Sequence, residues 1–276
     1  MSLQERAMLV QLNIKQWPGK KQDKKVTAEV ETAHGAHKAG RFNKDLVSKS
    51  LLDPHTKLTG EIRKKHYELT LAWSDNGQRL LPSKLFMDYT TYMRGAKSDF
   101  AKLTSEFVKE YPIEVQAARQ RLGTMYEPDD YPDASEMYAR FDLAVEFAPV
   151  PAANDFRVDV GNEAAEEIRT SITNTVHTKQ EAAVKATFTR VRDVVSKIYE
   201  RLSAPDAIFK DTLITNAEDL CVVLNGLNIT DDPLLSQLEH DIHAHLINPP
   251  DSIRRNSVLR ARVARYAQEI LGRIPS

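Results

Sequence analysis

Cysteine is almost absent from this sequence, and long apolar runs do not occur in it. Cys221 is the single cysteine among 276 residues, which excludes an intrachain disulfide and predicts a reducing, cytoplasmic setting. No run of about 18 apolar residues exists, so no membrane-spanning helix is expected. Residues 1–6 lack the apolar segment of a signal peptide. Together these absences predict a cytoplasmic protein with no membrane partner.

Recognisable catalytic motifs are also missing. The sequence contains no nucleophile elbow, no zinc-protease motif and no dinucleotide fingerprint, so no catalytic residue and no cofactor are predicted. His240, His243 and His245 lie close together, but only the first two share a helix face, which favours a surface cluster over a metal site. Cys221 lies in a helical segment, where a buried thiol acting as a small apolar side chain is favoured over a nucleophile.

The longest regular feature is a predicted helix over residues 161–202. Its apolar residues recur mostly every three or four positions, from Ile168 to Leu202, and form a stripe along one side. Asn162 is expected to cap its start. About 40 residues at about 1.5 Å each make a rod of about 60 Å. Such a rod needs a partner helix, a neighbouring subunit, or both.

A second helical stripe is the predicted partner. Ser83 can cap a helix whose apolar positions run from Phe86 to Phe107 in alternating three- and four-residue steps. Tyr111 and Pro112 are expected to interrupt this helix, which resumes over residues 113–122. We expect the two long helices to pack as an antiparallel pair.

Alternating apolar and polar residues indicate three strands, over residues 8–15, 140–147 and 155–160. The predicted fold class is therefore mainly α with a small antiparallel β-sheet. Residues 1–203 are expected to hold the helix pair, the sheet and a basic N-terminal region. Residues 204–276 are expected to form a C-terminal helical region.

Charge is distributed unevenly although the net charge is only −1. Residues 1–66 contain 14 Lys and Arg against 7 Asp and Glu, a balance of +7, which leaves −8 for the remainder. An aromatic residue beside such cations is typical of single-stranded nucleic-acid binding. The alternative is that the tryptophan packs at a sheet edge and the lysines keep the loop soluble. The candidate nucleic-acid-binding residues are Trp17, Lys20, Lys21, Lys24, Lys25, Lys38, Arg41 and Lys44.

Six blocks of this sequence stand out, at residues 1–17, 24–27, 71–82, 147–151, 155–159 and 201–211. Together they resemble a family of uncharacterised phage and prophage proteins. The family is a domain of unknown function, sometimes encoded beside a MoxR- or CobS-like AAA+ ATPase. The resemblance implies a phage protein and assigns no catalytic residues.

Two functions are therefore expected, with an enzyme of unfamiliar type as a third. The first is a non-enzymatic, oligomeric protein of phage DNA metabolism that binds single-stranded DNA through its basic N-terminal region. The second is an adaptor or structural partner of an AAA+ ATPase or another phage assembly, without nucleic acid. The arginine-rich C-terminal helix, over residues 251–271, fits either phosphate binding or packing on a neighbouring subunit.

Overall fold

The fold is mainly α-helical with small antiparallel sheets, as predicted. A computed structural model describes residues 2–155, 161–204 and 207–275, and 69% of it is helical. The helices are α1 Leu3–Arg6, α2 Lys24–Ala33, α3 Lys49–Leu69, α4 Phe86–Leu122, α5 Asn162–Ser203, α6 Thr212–Leu227, α7 Pro233–His245, α8 Pro250–Arg255 and α9 Ser257–Leu271. The strands are β1 Ala7–Lys15, β2 Lys20–Gln22, β3 Asn43–Asp45, β4 Leu71–Ala72, β5 Arg79–Pro82 and β6 Asp142–Pro149.

The larger sheet has the strand order β4-β5-β1-β6. Strands β1 and β6 confirm the predictions for residues 8–15 and 140–147. The third predicted strand falls on residues 156–160, outside the described residues, and Asp155 ends a 3₁₀ turn. Strands β4 and β5 were not predicted as strands. They flank the turn at Gly77, whose φ of +94° suits glycine. Strand β5 then pairs antiparallel with β1, from Ala7 opposite Pro82 to Val10 opposite Arg79.

The chain divides into two compact units. Unit 1 comprises Met1–Gln11, His66–Tyr89 and Phe147–Ser276, and unit 2 comprises Leu12–Lys65 and Thr90–Glu146. The domain boundary expected between residues 203 and 204 therefore lies inside unit 1. The reason is a shared core, because α5 packs against α6 and α9. Residues from these helices that are nearly inaccessible to solvent include Val191, Val195, Ile198, Ala217, Leu224, Val263 and Ala267.

The long helix α5 is confirmed, but the helices that cover it differ from the prediction. Its buried residues run only from Ala183 to Leu202, and they pack on α9 and α6 within unit 1. The predicted partner was the helix that begins at Phe86. The N-terminus of α5 also differs from the prediction that Asn162 caps it. Gly161 occupies the N-cap position, and no side chain caps the helix. Periodicity identified the stripe correctly but could not choose among several amphipathic partners.

Two arginines hold helix C-termini in unit 1. Arg260 of α9 donates to the carbonyl oxygens of Arg201 and Leu202, at 2.7 and 3.2 Å, and to those of Ala204 and Ala207 beyond the end of α5. Arg190 of α5 donates to the carbonyls of Tyr67, Glu68 and Thr70 at the end of α3. A guanidinium is well suited to both places, because the last carbonyls of a helix have no intrahelical donor and carry partial negative charge. Arg260 of the arginine-rich helix is therefore a structural residue.

Aromatic side chains form the core of unit 2. His55 of α3 lies among Phe100, Phe107 and Phe141, with ring centroids 4.5 to 6.0 Å away. Helix α4 continues through Pro112 to Leu122, so the predicted interruption is wrong. Tyr111, which precedes the proline, is buried and stacks on Phe107. This packing holds the helix in place where the proline removes one backbone hydrogen bond.

The stripe from Phe86 to Phe107 is largely buried, as is the apolar face of α9. The apolar faces of these two helices are therefore mostly covered within the chain. In the part of the chain that the structure describes, no helix is long and apolar enough to cross a membrane.

Gly226 gives a direct test of the packing in unit 1. A Cβ at this position would lie 2.4 Å from Cγ and Cδ2 of Leu85, a buried residue with little room to move. We expect Gly226→Ala to lower the free energy of unfolding by about 1–3 kcal/mol, because overpacking displaces Leu85.

The matched control for this test is Gly95→Ala in helix α4, where a Cβ would meet nothing within 4 Å. That change should raise stability by about 0.5–1 kcal/mol, as alanine favours the helix. Urea unfolding followed by circular dichroism measures both. Equal effects at the two glycines would contradict the close packing of Leu85 on α6.

Candidate functional site

The basic N-terminal region folds as two short paired strands with a helix between them in the chain. Strands β2 and β3 pair antiparallel, with Lys20 opposite Asp45 and Lys21 opposite Lys44. Asp23 then caps α2 by accepting hydrogen bonds from the backbone amides of Lys25 and Val26. The structure therefore brings most of the predicted cations into one part of unit 2.

Trp17 is not available to stack on a nucleobase, which corrects the prediction. Its exposed fraction is 6%, and its ring contacts Phe107 and Tyr111 edge to face, with centroids 6.0 and 5.8 Å away. The side chain belongs to the aromatic core of unit 2. The alternative had Trp17 packing at a sheet edge, and the structure places it against Phe107 and Tyr111 in this core.

Lys44 is also removed from the predicted phosphate-binding surface. Its side chain is 4% exposed, and its ammonium group lies 2.7 Å from Asp130 and 3.7 Å from Asp23. It also donates to the carbonyl of Met125 at 2.5 Å. Burial by itself raises the pKa of Asp130, but hydrogen bonds from Lys21 and Lys44 outweigh this effect and lower it. The buried charges are thus compensated within the protein.

Three further lysines of the predicted set are exposed but paired. Lys20 lies 3.5 Å from Asp45, Lys21 lies 2.5 Å from Asp130, and Lys25 lies 3.2 Å from Glu127. The acceptors Glu127 and Asp130 come from the loop after α4. The acidic composition of that loop is visible in the sequence, but its position beside the lysines is not. These pairs reduce the positive potential that the sequence predicted.

Lys24, Lys38 and Arg41 are the cations that keep their charge exposed. Their side chains form no ion pair or hydrogen bond with any residue that the structure describes. Three unpaired cations form a much smaller electrostatic surface than the seven that the sequence offered.

The histidine cluster and Cys221 are the remaining candidate side chains from the sequence. His240 and His243 are exposed, whereas His245 stacks on Tyr266 with centroids 4.2 Å apart. Among residues 2–155, 161–204 and 207–275, no group of three side chains could hold a metal ion. Burial, with the nearby Glu239 charge, raises the pKa of Cys221 to about 11, so the thiol stays protonated near neutral pH.

A buried histidine–tyrosine pair lies in unit 1. Nδ1 of His66 lies 2.8 Å from the hydroxyl of Tyr89, and both residues are almost inaccessible to solvent. Burial, followed by the positive charge of Arg79, lowers the pKa of His66 to about 4. Burial also raises the pKa of Tyr89. A pair closed to solvent in this way is suited to holding α3 on α4, and a substrate cannot reach it.

The first half of α5 is the most unusual surface of unit 1. From residue 162 to residue 182 no side chain is buried, whereas the second half of the same helix forms the core. A groove of about 450 Å³ lies where the two halves meet. It is lined by Val184, Lys185, Phe188 and Arg192 of α5, with Asp232 and Pro275 opposite. The exposed half and the groove together form the candidate site.

Comparisons with protein-family models, with curated proteins and with solved structures find no match to this chain. The class of protein is therefore inferred from its own geometry, and the resemblance to phage proteins stays a prediction.

His66 predicts a pH dependence of stability. Its pKa is about 4 in the folded protein and about 6.5 in the unfolded chain, so the unfolded state binds the proton first as the pH falls. Stability is then full above about pH 6.5 and decreases toward pH 4. The loss is about 3 kcal/mol at most, since each pKa unit corresponds to about 1.4 kcal/mol.

Urea unfolding at several pH values between 7.5 and 4.5 measures this loss. The variant His66→Gln should lose part of the pH dependence. The control His243→Gln should keep all of it, because solvent surrounds that side chain in both states. Identical profiles for wild type and His66→Gln would show that His66 is not the titrating group.

Proposed function

We propose that this protein is a non-enzymatic assembly protein that works by protein–protein contact through the first half of α5. The observation that carries the proposal is the contrast within this single helix. Residues 162–182 bury no side chain, while Val191, Val195 and Ile198 are fully inaccessible. This function corresponds to the second expectation from the sequence, an adaptor or structural partner.

Helix energetics support the proposal. In water, most of the stability of a protein helix comes from packing an amphipathic face, because intrinsic propensity alone is marginal. The exposed half of α5 extends for about 30 Å, its apolar residues are only partly buried, and among the described residues a short 3₁₀ turn over Ala153–Asp155 packs on it. Its outer face carries small polar residues, among them Ser171, Asn174 and Thr178, over which another helix can approach closely. A bound partner would supply the packing that this half lacks.

The burial of the reactive side chains also supports a binding function. The Cys221 thiol and the His66–Tyr89 pair are buried, and each has a structural contact within the fold. Binding by surface contact, without covalent chemistry, is the function that these positions support best.

Site-specific photo-crosslinking in the cells that carry the gene tests this function. A photoreactive amino acid at Asn174 of α5 should yield a protein adduct, either with a second copy or with another protein. The same amino acid at Asp219, an exposed residue of α6, is the control and should yield none. Absence of an adduct at Asn174, with normal expression and folding, would overturn the proposal.

An AAA+ ATPase of the MoxR or CobS type is a candidate partner if the adduct contains another protein. This suggestion rests only on the resemblance to phage proteins. Mass spectrometry of the adduct from Asn174 would identify or exclude the ATPase.

Binding of single-stranded DNA is the second candidate function, favoured by the exposed and unpaired Lys24, Lys38 and Arg41. Each phosphate contact on a single strand contributes about −0.7 to the slope of log affinity against log salt. Three contacts predict a slope of about −2. Fluorescence anisotropy with labelled single-stranded DNA, at salt concentrations from about 50 mM upward, measures the slope.

Alanine at Lys24, Lys38 and Arg41 together should abolish this binding. The matched control replaces Lys57, Lys102 and Lys109, which are exposed lysines of α3 and α4. If wild-type protein binds no DNA at about 50 mM salt, where such contacts are strongest, this second function is excluded.

A further inference from the structure

We infer that the partner of α5 is a second copy of this chain, docked antiparallel so that Glu163 and Glu167 of each copy lie against Lys185 and Arg192 of the other. The inference rests on the proposed function and names its partner. It follows from the order of charges along the solvent face of the helix.

The charges lie in one stripe. Glu167 and Lys185 are 18 residues apart, which is five turns of a helix with 3.6 residues per turn, so they lie on the same side. Glu163 lies about one turn before Glu167, and Arg192 lies about two turns after Lys185. Between them the same stripe carries the polar residues Ser171, Asn174 and Thr178. The stripe therefore runs from acidic through neutral to basic, except for Glu181, which lies five turns after Glu163 and is paired with His177.

These charges are available for a partner. Glu163, Glu167 and Lys185 are exposed, and none of their side chains forms an ion pair or hydrogen bond with a described residue. Arg192 is half-buried and donates to the carbonyl of Pro275. Its guanidinium has five donors and so keeps others for a carboxylate. Glu166 and Glu181 of the same helix are already paired, with Arg169 and His177.

Only an antiparallel arrangement satisfies the stripe in a symmetric pair. Two parallel copies would place like charges together, which is unfavourable. Reversing one copy about a twofold axis near residue 176 places Glu167 against Lys185 twice, with Asn174 beside Thr178 at the centre. A twofold pair uses the same surface on both chains, as is usual in homodimers.

The groove described above accommodates the end of this contact. Its lining includes Val184 and Phe188, the cations Lys185 and Arg192, and the carboxylates Glu181 and Asp232. Glu181 is paired with His177, and Asp232 accepts hydrogen bonds from the backbone at the start of α7. The two cations are therefore left for the glutamates of the second copy, and in the same register the small Ala164 comes level with Phe188.

Light scattering with size-exclusion chromatography on the full chain tests the inference by charge exchange. Wild type at low salt and micromolar concentration should show twice the monomer mass of 31.2 kDa. Glu167→Lys and Lys185→Glu should each weaken the dimer about tenfold or more, because each change sets like charges against each other at two symmetric contacts. An equimolar mixture of these two variants should form a heterodimer. The double variant Glu167→Lys/Lys185→Glu should again form a homodimer.

Lys197→Glu is the matched control, since this exposed lysine lies on another side of α5. It should leave the dimer unchanged. Circular dichroism confirms that each variant is folded. A monomeric wild type, or a dimer that survives both single changes, would overturn the inference. A monomer that still yields the Asn174 adduct with another protein would overturn only this inference and leave the proposed function intact.

Discussion

Arginine donors to helix C-terminal carbonyls are the contacts on which unit 1 depends. Arg260 donates hydrogen bonds to four carbonyls at and beyond the end of α5, and Arg190 donates to three at the end of α3. Each guanidinium supplies donors to carbonyls at a helix end, where no intrahelical donor is available. The apolar faces of α5, α6 and α9 can then meet in one core. A lysine could not replace either side chain, because its three donors radiate from one atom and cannot span several carbonyls in a plane.

Buried charge organises unit 2 in a comparable way. Lys44 is enclosed by Asp130, Asp23 and a backbone carbonyl, which ties strand β3 to the start of α2 and to the loop after α4. Removing a charge of this kind leaves its partners buried and uncompensated, which is costly. The same carboxylates attract the neighbouring exposed lysines. A region that is strongly basic along the chain is therefore much closer to neutral on the folded surface.

Helix α5 has a different role in each of its halves. The second half is core, and its residues are interchangeable only with others of similar shape. The first half buries no side chain, so polar substitutions there are expected to cost the fold less than substitutions in the second half. This division separates the core residues from the exposed residues within one continuous element. Under the proposed function, substitutions from residue 162 to residue 182 would report on contacts with partners more directly than substitutions in the core would.

The sequence by itself determined the features that depend on neighbouring residues. Periodicity placed α4, α5, β1 and β6, because side-chain spacing along a helix or strand is a local property. The helical segment around Cys221 also indicated that this side chain is buried. Tertiary structure alone decided which helices cover α5, that Trp17 lies in a core, and that Lys44 and its neighbours are neutralised. Those outcomes depend on residues far apart in the chain, such as Asp130 and Glu127, and no local pattern specifies which distant carboxylate will reach a given lysine.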